Sequence, residues 1–159
     1  MANEWLVVGL NHSTAPVKIR EAISPKPDEA GRINTIIKDA TGQEGVVVLS
    51  TCSRFEIYCQ PDKDGEQAIV AWLNLRAGQD ISGSLFIHRG SEAVGHLFRV
   101  AAGLDSWILG ETEILGQCKA AYQGACNEKT VNRFGHLSFQ RALMVGKKVR
   151  NETRIVGGI

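Results

Sequence analysis

The chain has 159 residues, 18 Lys and Arg against 17 Asp and Glu, 43% hydrophobic residues, 17 glycines and four cysteines. That length suits one domain, or one with a short appendage, since a chain of about 150 residues buries roughly 70% of its unfolded surface unaided. Ordinary apolar and charged fractions speak against wholesale disorder, and a net charge of +1 excludes a strong whole-molecule field. The length also leaves no room for a nucleotide-binding domain beside another full domain.

Apolar runs such as 5–8 and 46–49 are far too short to cross a bilayer. MANEWLVVGLNH lacks a basic n-region and a cleavage site, so nothing signals export. Cys52, Cys59, Cys118 and Cys126 show no secreted-framework density and no CxxC pair, and the histidines at 12, 88, 96 and 136 are scattered. These features predict reduced thiols, no metal and a cytoplasmic protein without a membrane partner.

In chain order, residues 4–10 (EWLVVGL) read as a buried strand. NHSTAP carries turn chemistry, and Pro16 opens a short helix through Ile23. SPKPDEA starts a helix reaching about Ala40, with Ile33, Ile36 and Ile37 at helical spacing, and TGQEG stops it. Residues 46–50 and 55–60 are strands, the second with Phe55, Ile57 and Cys59 on one face. Only TCSR (51–54) separates them, which predicts a hairpin-like turn. A helix follows over 66–77, then a short strand over 85–88. Ser91 reads as the N-cap of a helix whose Val94, Leu97, Phe98 and Ala101 share a face. AAGLDSWILGE is a Gly-interrupted connection to a helix over 111–126, and a last long helix runs from 133 to about 153. The order β-α-β-β-α-β followed by helices predicts an α+β fold: a ferredoxin-like antiparallel sheet with a helical C-terminal half.

Cys52 is the first candidate for chemistry. It occupies a tight turn between strands, Thr51 and Ser53 flank it with hydroxyls, and Arg54 lies two residues on. Positive charge and turn N–H groups raise a thiol's thiolate fraction, and a thiolate accepts acyl groups. The alternative is an inert, buried turn residue. His96 suits general acid–base work or a hydrogen-bonded structural role. Glu113 and Gln117, four apart, line either a polar cleft or a solvated helix face. GLNHSTAP and GLDSWILGE match neither GxGxxG nor GxxxxGK[ST]. The terminal helix carries Arg133, Arg141, Lys147, Lys148 and Arg150, with Arg154 beyond it, and reads as a solvated face or an RNA-phosphate contact.

The stretches VGLNHSTAPVKIRE (8–21), LSTCSRFEIY (49–58), HLFRVAAGLDSWILGETEILGQCKAAY (96–122) and GKKVRNETRI (146–155) together resemble the N-terminal catalytic domain of glutamyl-tRNA reductase. They lie in the family's order along nearly the whole chain. The resemblance implies that Cys52 attacks the ester joining glutamate to tRNA(Glu), giving a thioester that NADPH reduces to glutamate-1-semialdehyde, the first step of tetrapyrrole and haem biosynthesis by the five-carbon route. It implies that Arg54 pairs with the substrate's side-chain carboxylate and that Thr51 and Ser53 complete the cradle. Ser106, Glu111, Thr112, Glu113 and Gln117 fall in the family's substrate-contacting stretch, and His96 matches a histidine that assists the chemistry. Further implications are a homodimer in the full-length enzyme, a downstream aminomutase or regulatory proteins as partners, and no role for DNA.

Three departures stand out. Ser53 replaces the family's usual Asn, and GETEILGQ stands for GEPQILGQ, so Thr112 and Glu113 replace Pro and Gln. Residues 1–155 read as the catalytic domain, with 133–155 beginning a long spinal helix and 156–159 the start of a linker. The NADPH-binding and dimerisation domains are then expected to be absent. The rival expectations are a non-catalytic regulatory module binding haem, tRNA or a regulator, and a free-standing cysteine hydrolase, which needs a histidine beside Cys52.

Overall fold

The computed structural model describes residues 4–153; the expected linker at 156–159 lies outside them. The strands are β1 (Leu6–Asn11), β2 (Glu44–Ser50), β3 (Arg54–Gln60) and β4 (Phe86–Arg89). The helices are α1 (Val17–Ile23), α2 (Ile33–Thr41), α3 (Gly65–Ala77), α4 (Ser91–Ala101), α5 (Glu113–Glu128) and α6 (Arg133–Glu152). The sheet order is β2-β3-β1-β4 and every pairing is antiparallel, the order expected of a ferredoxin-like sheet.

This sheet is covered on both faces. Leu6, Val8 and Leu10 of β1 join Phe55, Ile57 and Cys59 of β3 in a core with Ile23, Ile37 and Leu73 of the first three helices. The alternate residues, Val7 and Tyr58, enter a second core with Leu97, Val100, Ile114 and Phe139 of the last three. Side chains alternate across a strand, so a sheet buried on both faces requires an unbroken apolar run. That is why β1 reads LVVGL.

Three local expectations need correction. The helix expected from SPKPDEA begins only at Ile33, because Pro25 and Pro27 bias the residues before them away from helical backbone. Residues 24–32 form turns instead, held by Arg76: its Nε donates to the Ile23 carbonyl, and its Nη2 to the Ser24 carbonyl and to Glu29. The hydrogen bond from Arg76 is the main cause holding the Glu29 carboxyl down to about 2. Ser91 is the first helical residue, and Gly90 occupies the N-cap. Finally, α5 starts two residues late because Glu111 caps it, accepting from the amides of Glu113 (3.0 Å) and Ile114 (2.9 Å).

Gly9 sits opposite Glu56 and Phe86 in the register. A Cβ there would meet the Phe55 carbonyl oxygen at 2.7 Å and Glu56 Cγ at 2.9 Å. Gly9→Ala is therefore expected to lower stability by about 2 kcal/mol in urea denaturation, as overpacking does, whereas Gly31→Ala stays within about 0.5 kcal/mol. Gly31 has nothing within 4 Å of the added atom.

Candidate active site

The site is built where the β2–β3 turn meets the start of α5. Thr51 closes that turn: its amide donates to the Arg54 carbonyl, and its Oγ1 accepts from the amides of Ser53 (3.2 Å) and Arg54 (3.1 Å). Those two N–H groups are thus spent on the turn and not aimed at the thiol. Arg20 braces the turn from α1, donating from Nη1 to the Cys52 carbonyl at 3.3 Å. Cys52 is exposed, while Cys59 and Cys118 are buried. Burial pushes both of those thiols up to about 12, which keeps them protonated and inert.

Behind the turn lies a buried charge network. Arg54, 2% exposed, donates from Nη1 to Glu56 Oε2 (2.7 Å) and to Asp105 Oδ2 (3.1 Å), and from Nη2 to the Asp105 carbonyl (2.9 Å). Glu56 is wholly buried and also takes Tyr58 OH at 2.6 Å and His96 Nε2 at 2.8 Å. Burial by itself would raise the Glu56 carboxyl, but His96, Arg54 and Tyr58 hold it below the ordinary value. The same burial, with the neighbouring carboxylate, pushes the Tyr58 phenol well up.

Two clefts meet at Cys52. One, of about 480 Å³, is lined by Thr51, Cys52, Ser53, Arg54, Ser106, Glu111, Thr112, Glu113 and Gln117, together with Trp107, Ile108 and Ile114. It brings together every candidate residue except His96. His96 is buried against Phe86 and His88 and bonds to Glu56; it lines neither cleft, so the histidine that a cysteine hydrolase requires is not at the thiol. Ser106 and Trp107 ride on a loop pinned at its ends, where Gly103 and Gly110 adopt φ of 80° and 73° and the Gly110 amide donates to the Gly103 carbonyl. Arg150 ties that loop down, donating to the carbonyls of Gly110 and Ala101. It is thereby withdrawn from the basic face of α6, where Arg133, Arg141, Lys147 and Lys148 remain exposed. Among the described residues no group of three or more His, Cys, Asp and Glu is arranged to hold a metal ion.

Sequence reasoning missed Glu56, Asp105, Trp107 and Arg20. Arg54, Glu56 and Tyr58 recur with period two on one strand face, and a carboxylate inside the apolar run FEIY was a readable signal of a buried ion pair. Asp105 and Arg20 reach the turn from 51 and 32 residues away, and nothing local marks them.

An exposed thiol on a rigid turn, with a guanidinium behind it and a cleft on either side, is suited to nucleophilic attack on an acyl carbon. Comparison with known proteins places the chain in a family. Residues 8–153 match the family described as Glutamyl-tRNAGlu reductase, N-terminal domain. The glutamyl-tRNA reductase of Desulfitobacterium hafniense is 42% identical over 155 residues, covering 94% of this chain and 35% of the relative. That of Desulforudis audaxviator is 46% identical over 153 residues, covering 94% and 34%. The solved glutamyl-tRNA reductase from Methanopyrus kandleri superposes with a TM-score of 0.79 at 37% identity, covering 97% of this chain and 36% of that one. The chain belongs to the glutamyl-tRNA reductase N-terminal domain family, and it spans about a third of the length of these relatives.

Glu56 sets a pH-dependent contribution to stability. Its folded pKa lies below the unfolded one, so its contribution is complete above about pH 4.3 and is lost as pH falls through the folded value. Glu56→Gln is expected to cost about 3–5 kcal/mol at pH 7, by leaving Arg54 short of a buried partner. The gap between parent and variant, read from urea midpoints, then narrows below about pH 4.

Proposed function

We infer that this chain is the acyl-accepting catalytic domain of a glutamyl-tRNA reductase, with Cys52 as the nucleophile. One observation carries the reading: Cys52 is an exposed thiol held at the junction of two clefts, in a chain whose family membership is established. The Cys52 thiolate adds to the ester carbonyl carbon of glutamyl-tRNA(Glu). The carbon–oxygen bond to the ribose then breaks, the ribose oxygen takes up a proton, and a thioester remains on Sγ. The glutamyl side chain lies in the cleft of Arg54, Ser106 and Gln117. Asp105, whose side chain is 31% exposed, yields its 3.1 Å contact with Arg54 to the incoming carboxylate, while the fully buried Glu56 keeps its own. His96 acts through Glu56, fixing the guanidinium and touching neither thiol nor substrate.

NADPH, bound to the whole protein, would supply a hydride to the thioester carbon, and breaking the carbon–sulfur bond would release glutamate-1-semialdehyde and the Cys52 thiolate. The described residues do not fit it: every strand pairing is antiparallel, and no glycine-rich strand-to-helix turn offers a pyrophosphate cradle. That step, the homodimer and any contact with an aminomutase or regulator therefore belong, in this proposal, to the greater length that the relatives have. Among the described residues no helix is long and apolar enough to cross a membrane.

Incubation of the chain with labelled glutamyl-tRNA is expected to leave label on Cys52 as a hydroxylamine-sensitive thioester. Cys52→Ser should capture none that hydroxylamine releases under mild conditions; equal capture by the serine variant would sink the assignment. Glu113 lines the glutamyl cleft and adds a negative charge to it. Glu113→Gln is expected to lower the half-saturating glutamyl-tRNA concentration about three- to fivefold, the scale of one exposed charge, and more so at low salt.

A further inference from the structure

The glutamyl group occupies only one of the two clefts at Cys52. The other, of about 610 Å³, falls in the size range of small-ligand sites, roughly 300–1,000 Å³. The two share Thr51, Cys52 and Gln117 and then part along α5. Residues of the first turn of the helix line the glutamyl cleft, and Ala120, Ala121, Gly124 and Asn127 line the other. Helical rise spreads residues 120–127 over about 10 Å.

The chemistry at Cys52 requires two such spaces. A carbonyl carbon under attack carries two further substituents, the acyl chain and the leaving oxygen, and these diverge at about 120° in an sp² centre. An acyl cleft on one side of the thiol therefore implies a leaving-group cleft on the other.

The lining says what kind of leaving group fits. No Lys or Arg lines the second cleft. Its carboxylate, Glu128, is already committed to Asn34 Nδ2 (2.6 Å) and to the amide and hydroxyl of Thr35 (both 2.9 Å). Much of the wall is small and apolar, with Pro25 and Gly31 from the turn and Ala120 and Gly124 from α5, and the hydroxyls of Ser24 and Ser50 add neutral polar groups. At its edges Gln117 and Asn127 make no side-chain hydrogen bond among the described residues. Such a site rejects a phosphate and accepts a flat, neutral group that hydrogen-bonds at its edge.

We propose that this cleft, between the 24–33 segment and the C-terminal half of α5, binds the terminal nucleoside of the acylated RNA and so positions its ribose oxygen as the leaving group at Cys52. The RNA phosphates stay outside it, beside the exposed Lys26 of the bordering turn, where Arg32 is bridged to Asp28 at 3.9 Å. This rests on Cys52 being the glutamyl acceptor.

The test compares two glutamyl donors: glutamyl-tRNA, and a glutamyl α-thioester of a small alkyl thiol, which has no nucleoside. Ala120 is exposed on the helix, so Ala120→Leu narrows the cleft without touching the core and keeps a strong helix former. Acylation of Cys52 is followed by intact-protein mass. Ala120→Leu should change the ratio of the tRNA rate to the thioester rate by about tenfold against tRNA, the scale of one lost base-stacking contact. Free adenosine should slow acylation of the parent by glutamyl-tRNA and lose that effect in the variant. An unchanged ratio, or adenosine acting equally on both donors, overturns the proposal while leaving Cys52 as acceptor. Failure of both donors to acylate the parent overturns the acceptor reading itself, and the nucleoside site with it.

Discussion

A single carboxylate, that of Glu56, organises the part of this domain that carries the Cys52 turn. It lies out of reach of water inside a β-sheet, where an unpaired charge is intolerable, and so the surrounding structure supplies three donors: Arg54, Tyr58 and His96. Two come from its own strand and the third from α4, so the carboxylate staples the sheet to the helical half. Gly9 on the neighbouring strand provides the space, and any side chain there would strike Glu56 and the Phe55 carbonyl. The guanidinium behind the Cys52 turn is therefore set by a buried counter-charge and not by the turn. A lysine in place of Arg54 could not meet Glu56, the Asp105 carboxylate and the Asp105 main-chain carbonyl in this planar arrangement.

This placement divides labour among groups that look alike in sequence. Of the four cysteines, two are held protonated by burial and one is exposed on a braced turn. Of the cations in the C-terminal half, Arg150 is spent on holding the Gly103–Gly110 loop against α4, while its neighbours on α6 face solvent. Glu111 and Glu113 are two residues apart, yet Glu111 caps the start of α5 and Glu113 enters the cleft. The cap fixes where α5 begins, and thus where Gln117 stands between the two clefts.

Much of this was legible in the chain. The strand at LVVGL, the pair flanking TCSR, and the stripes of α4 and α5 follow from side-chain periods of 2 and 3.6, which act over a few residues. The Cys52 turn and the cluster from Ser106 to Gln117 carried their resemblance in contiguous motifs, and the folded chain brings them into one cleft. Where the helix expected from SPKPDEA did not form, two prolines broke it locally and a longer-range contact completed the change: Arg76, from α3, holds residues 24–29 in turns.

Local sequence set the order of elements, their apolar faces and the turn that carries the exposed Cys52 thiol, because each depends on neighbours within a turn or a strand. Tertiary structure decided what surrounds that thiol. His96 meets Glu56 across 40 residues and Arg54 meets Asp105 across 51, contacts that exist only once β1 has paired with β3 and α4 has packed on the sheet. A periodic pattern tells which face a residue occupies. Which distant charge shares that face is decided by register and packing, and these give His96 a place behind the arginine and not beside the sulfur.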